Sequence, residues 1–177
     1  MSEGYLPPEL LAGHYDLTQF HCRSTEQTEW LRRHARQAAN TGTTRVFVVT
    51  SRNSTRVVAY YAWCMAQIDA KDAPERFLKG AGRYPQPVAL LARLGVDMEH
   101  EGRGLGYGLL QDVVLRLVAI SDAIGCRGLI VHAESKEARS FYRHLVPEFE
   151  DSPTDSLHLV LLMKDIRRTT QGDSWAF

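Results

Sequence analysis

Residues 88–124 impose the tightest constraint on this chain. A mostly apolar strand over 88–96 is followed by its single glycine cluster, Gly102-Arg103-Gly104-Leu105-Gly106-Tyr107-Gly108. Behind the cluster, Leu109, Leu110, Val113, Val114, Leu117, Val118 and Ile124 recur on one face of a helix ending near Gly125. Such a junction between a buried strand and a helix suits an anion. Glycine lets the backbone come close to a ligand, the first helical N–H groups have no acceptor within the helix, and the helix dipole adds partial positive charge. A diphosphate would bind the main-chain donors of residues 103–107, with the Arg103 side chain assisting.

Around this junction, Ser24-Thr25-Glu26-Gln27 has capping-box spacing, and Trp30, Leu31, His34, Ala35 and Ala38 continue a helix up to Asn40-Thr41-Gly42. Residues 15–22 alternate weakly and predict a first strand. Strands are expected over 44–50 and 56–66 around a turn at 51–55, with a short helix at 74–79. Leu129-Ile130-Val131 reads as another buried strand, residues 135–145 as a helix opened by Ser135, and 157–163 as a closing strand. The order is that of an α/β or α+β domain with one central mixed sheet flanked by helices. At 177 residues one domain is the default, expected over 1–168, with a polar tail at 169–177. A chain of this length buries roughly 70% of its unfolded surface and needs no disulfide or structural metal.

Cys22, Cys64 and Cys126 are far apart and odd in number, and the seven histidines show no ligand spacing, so no metal is expected. The first residues lack the basic stretch and apolar run of a signal peptide, and no apolar run is long enough to span a bilayer. A cytoplasmic location without membrane attachment is the expectation.

Spacing narrows the phosphate ligand. A dinucleotide fingerprint needs Gly-x-Gly-x-x-Gly, but Tyr107 and Leu109 stand three residues after Gly104 and Gly106, and no Gly-Lys-Ser or Gly-Lys-Thr marks a P-loop. The run Glu101-Gly102-Arg103-Gly104-Leu105-Gly106 instead resembles the acetyl-coenzyme A loop of the GCN5-related N-acetyltransferases, Gln/Arg-x-x-Gly-x-Gly/Ala. Glu101 departs from that pattern, and it would repel phosphate if it pointed inward. Ala138-Arg139-Ser140-Phe141-Tyr142 matches the family's Ala-x-x-Phe-Tyr pattern, and the inferred element order is the family's over nearly the whole domain. The resemblance implies that the coenzyme is bound by Leu94, Gly95, Val96, Arg103, Gly104, Leu105, Gly106, Tyr107, Gly108, Ser135, Ala138 and Phe141. It also implies that Tyr142 protonates the leaving thiolate as general acid. Where the family has Gly-Phe after this Tyr, the chain has Val146-Pro147-Glu148-Phe149.

Residues 79–97 and 128–133 are similar to the acetyltransferase toxins of bacterial toxin–antitoxin pairs. That resemblance implies acetylation of the α-amino group of aminoacyl-tRNA, a block to translation, a ribbon-helix-helix antitoxin and a homodimer. An α-amine titrates near pKa ~7.7–8.0 and a lysine near ~10.4, so the former needs less help from a base. Glu99, Glu101 and His132 lie close to the motifs, and none has a spacing that commits it. The formal net charge is zero, but residues 30–93 carry eleven basic and three acidic side chains between acidic flanks. For a tRNA substrate, Arg32, Arg33, Arg36, Lys79, Arg83 and Arg93 are the expected phosphate contacts. The alternatives are an acetyltransferase for a small amine or protein N-terminus, and a non-catalytic RNA-binding or regulatory protein on the same fold.

Overall fold

The computed structural model describes residues 4–172. Seven strands form one sheet in the order β1-β2-β3-β4-β5-β7-β6. They are β1 Glu9–Leu10, β2 Arg45–Thr50, β3 Val57–Ile68, β4 Gln86–Val96, β5 Gly128–His132, β6 Glu150–Asp151 and β7 His158–Leu162. The pair β4·β5 is parallel, whereas β1·β2, β2·β3, β5·β7 and β6·β7 are antiparallel, giving the mixed sheet expected. Six α-helices accompany it: α1 Thr25–Arg33, α2 Ala35–Thr41, α3 Glu75–Leu78, α4 Leu105–Ser121, α5 Lys136–Leu145 and α6 Met163–Gln171. Contacts divide the chain into two compact units, one built on the segments up to Cys64 and Ala92–Asp112, the other on Met65–Leu91 and the segment from Val113 onward.

In the first unit, the Ser24 side chain accepts the Gln27 N–H at 3.1 Å, a cap contributing about 1 kcal/mol. The expected single helix breaks at His34, and Gly42, at φ 73°, ends its second half in the left-handed conformation glycine tolerates. Strands β2 and β3 pair in register Val48↔Tyr60 and Phe47↔Tyr61. Their apolar face joins Phe20, Leu31 and Ala35 in a core where the Tyr60 hydroxyl donates to the Gln27 carbonyl at 2.7 Å. Residues 15–22 form no strand. Tyr15, Leu17, Phe20 and Cys22 are buried, but the segment has only the isolated bridge Asp16↔Arg56. The alternation reflects core filling by a loop.

In the second unit, β5 lies between β4 (Ala89↔Leu129, Leu91↔Val131) and β7 (Leu129↔Leu161, Val131↔Leu159). Ile68, Phe77, Val88, Ile130, Val160 and Leu162 form its core. The Arg127 guanidinium lies 5.4 Å above the Phe77 ring and donates to the Phe77 carbonyl. Ser135 caps α5 by accepting the Ala138 N–H at 3.1 Å. Helix α6 carries regular structure through Gln171, past residue 168, and most of the expected tail, residues 173–177, lies outside the described residues. Among the described residues, no helix is long and apolar enough to cross a membrane.

Candidate active site

The glycine junction forms as expected in the first unit. Gly102 and Gly104 adopt φ 72° and 79°, and a Cβ on either would meet nothing within 4 Å. Glycine is therefore required there by backbone conformation, not by crowding. The Gly104 carbonyl accepts the first helical bond, from Gly108 N–H at 3.0 Å. The amides of Leu105 and Gly106 thus precede any intrahelical acceptor, and residues 102–104 are exposed beside them. At the end of β4, Leu94 and Val96 are half-buried and Gly95 is buried. Gly95 has a packing reason, since an added Cβ would stand 3.1 Å from the Tyr60 ring and 3.4 Å from Cys22 and Phe20.

Glu101 does not face the loop's amides as an unpaired charge, because both its oxygens take the Arg23 guanidinium at 2.8–3.0 Å. Asp97, 1% exposed, accepts the Glu99 and His21 N–H groups, each at 3.0 Å, and Arg56 bridges it at 3.3 Å to Glu99 at 2.8 Å. Tyr5 closes this network. Its hydroxyl lies 2.6 Å from His100 Nδ1 and accepts from Arg103 at 3.1 Å, while Arg103 also donates to the Glu99 carbonyl at 3.4 Å. Burial lowers the His100 pKa below the ordinary histidine value. Asp97, Glu99 and His100 lie within metal-ligand reach of one another, but Arg56 already balances the two carboxylates. Asp97→Asn is expected to cost about 1–2 kcal/mol in urea denaturation by weakening these charge-assisted bonds.

In the second unit, Ser135 is engaged as the cap of α5, Ala138 uses its N–H for that cap, and Phe141 packs edge-on against Tyr142 at 5.2 Å. Tyr142 is 6% exposed and packed between Phe141 and Phe149. Its hydroxyl makes no hydrogen bond among the described residues. Burial, reinforced by the negative charge of Glu134, pushes its pKa well above the ordinary tyrosine value, so it stays protonated throughout the working range. With no protein acceptor, its proton is available to a group that arrives from outside.

The six predicted phosphate contacts separate on inspection. Arg36 donates to the Ala12 and Tyr15 carbonyls, Arg33 pairs with Glu29, and Arg93 pairs with Glu26 at 2.9 Å while lying 5.1 Å above the Trp30 ring. These three have internal roles that local charge sums do not reveal. Arg32 on α1, and Lys79 and Arg83 in the second unit, make no side-chain hydrogen bond or ion pair among the described residues. Lys79 and Arg83 line one cavity of about 350 Å³ with Glu75, Leu78 and Gly82. Sequence reasoning missed Tyr5, Arg23 and Arg56 because their partners lie 98, 78 and 43 residues away.

No protein-family model matches the chain. A curated relative from Mycobacterium tuberculosis (strain ATCC 25618 / H37Rv), named "tRNA-acetylating toxin", is 43% identical over 164 residues, covering 93% of this chain and 96% of the relative. The chain belongs to the family of GCN5-related acetyltransferase toxins. Its fold is also that of AtaT complexed with acetyl-methionyl-tRNAfMet, at TM-score 0.85 and 23% identity over 94% of this chain and 99% of that one. A mutant AtaT toxin bound to the C-terminus of the antitoxin AtaR and acetyl-CoA matches at TM-score 0.79 and 22% identity, over 95% and 99% of the two chains.

Proposed function

We propose that this protein transfers acetyl from acetyl-CoA to the α-amino group of aminoacyl-tRNA and thereby blocks translation. Its near full-length likeness to a relative named for acetylating tRNA carries this reading, and the loop and Tyr142 give it chemistry. The loop fits the coenzyme's diphosphate, because two positive-φ glycines hold an exposed turn at the start of α4 and Glu101 is neutralised by Arg23. There the backbone N–H groups of residues 103–107 and the Arg103 guanidinium hold phosphate oxygens. Residues 94–96 supply backbone groups for the pantetheine amides.

The coenzyme supplies an activated thioester. The free amine adds to its carbonyl carbon, the C–S bond breaks, Tyr142 gives its proton to the departing sulfur, and the tyrosinate takes up the proton that leaves the nitrogen. A thiol of pKa ~8.5 is already a fair leaving group, so this proton eases the step rather than enabling it alone. Arg32, Lys79 and Arg83, whose side chains are not used internally, are the leading tRNA phosphate contacts. A ribbon-helix-helix antitoxin, a homodimer, a cytoplasmic location and a catalytic domain ending near residue 168 complete the proposal.

Incubation with charged tRNA and labelled acetyl-CoA tests it. Label is expected on the aminoacyl moiety, with a rate at subsaturating tRNA that falls steeply from 50 to 200 mM salt. Transfer to free amines or N-terminal peptides at high salt, without transfer to charged tRNA, would replace this reading.

A further inference from the structure

The second unit contains a cavity of about 230 Å³ that none of the residues assigned above lines. Ile68, Leu90, Ile130 and Val160 give it an apolar floor, and its rim carries Asp69, Asp72, His132 and His158. No Lys or Arg lines it. The His132 and His158 rings stack at 3.8 Å with 13° between their planes. His158 Nε2 lies 3.4 Å from Asp155, and Asp72 accepts from the Thr154 hydroxyl. The Asp69 carboxylate has no partner among the described residues. His132 is exposed at the end of β5; desolvation of its ring and the adjacent His158 lower its pKa, with Asp155 opposing them, so the imidazole is neutral with one ring nitrogen unprotonated. The titratable groups around it are His158 on β7, Asp155 before β7, and Asp69 and Asp72 after β3.

The acetyl transfer proposed above still lacks a base. Of the three candidates near the motifs, Glu99 is bound to Arg56 and Glu101 to Arg23, which leaves His132. We infer that this cavity receives the aminoacyl end of the acceptor and that His132 takes the proton from its α-ammonium, an inference that rests on the acetyl-transfer reading. The N–H bond of the ammonium breaks, its proton moves to an imidazole nitrogen, and the freed lone pair forms the C–N bond. The C–S bond breaks, sulfur takes the Tyr142 proton, the second N–H proton of the new amide passes to the tyrosinate, and the imidazolium gives its proton up to water. Asp69 attracts the ammonium to an otherwise apolar recess.

The test compares wild type with His132→Gln, using full-length protein and aminoacyl-tRNA between pH 6 and 9. An amine of pKa ~8 is about 3% neutral at pH 6.5. The variant's kcat/KM is therefore expected to be about 30-fold below wild type at pH 6.5, to climb with pH, and to approach wild type by pH 9. Asp69→Asn should raise KM for aminoacyl-tRNA several-fold and leave acetyl-CoA affinity unchanged. A His132→Gln profile parallel to wild type at every pH, whether equal to it or uniformly lower, overturns the inference. In the unmutated protein, a non-hydrolysable 3′-amide aminoacyl-adenosine should shift the His132 and His158 ring signals in NMR, and unmoved signals also overturn it. Wild type that acetylates no aminoacyl-tRNA overturns the parent reading, whereas active wild type with an unaffected variant overturns this one alone.

Discussion

Replacing Tyr142 with Phe should lower kcat for acetyl transfer by about 100-fold or more while acetyl-CoA affinity stays within about twofold. The substitution removes one oxygen and leaves the ring packed against Phe141 and Phe149. Because the hydroxyl has no protein acceptor among the described residues, its loss should leave stability within about 0.5 kcal/mol of wild type. Single-turnover transfer and thermal melting together check the role. A variant that melts several degrees lower would mean that the hydroxyl holds the fold, and one that retains full kcat would remove Tyr142 from the chemistry.

The second large effect concerns the framework. A methyl group at Gly128 would collide with the Leu161 carbonyl oxygen and stand 3.3 Å from the Phe77 ring. Gly128 pairs with Leu162 at the start of β5, so the obstructing atom belongs to the neighbouring strand's backbone and cannot rotate aside. Gly128→Ala should therefore cost about 3 kcal/mol, the upper range for overpacking. At this chain length that shifts Tm by roughly 6–12 °C, measurable by circular dichroism. An unchanged Tm would show that β5 and β7 separate at this end without penalty.

Local chemistry was the legible part of the sequence. Ser24 and Ser135 announced two helix starts because a cap needs only a side-chain oxygen and an amide three residues on. The glycine junction was legible because positive φ leaves a compositional trace at Gly102 and Gly104. The two-residue strands β1 and β6 were invisible, since two residues show no periodicity. Helix α6 was hidden because it starts at Met163 directly after β7, without a side-chain cap, so its first apolar residue extended the strand pattern. The arginines misled for a different reason. The positive total over residues 30–93 was sound, but Arg36 and Arg93 serve carbonyls and a carboxylate up to 67 residues away, which no local sum contains. His132 could be named from its position near the motifs, but its stacking on His158 required β5 and β7 to be paired.

The contact from Tyr5 to Arg103 and His100 bears on how the proposed diphosphate loop would meet its ligand. An unrestrained arginine carries about 2 kcal/mol of rotamer entropy, which a bound phosphate would have to remove. Tyr5 and the Glu99 carbonyl have already confined this guanidinium, so part of that ordering is complete before the ligand arrives. Tyr5 thus acts as preorganisation for a loop nearly a hundred positions later. Replacing Tyr5 with alanine would leave the loop's sequence intact and still weaken coenzyme binding, as lost readiness rather than a lost contact.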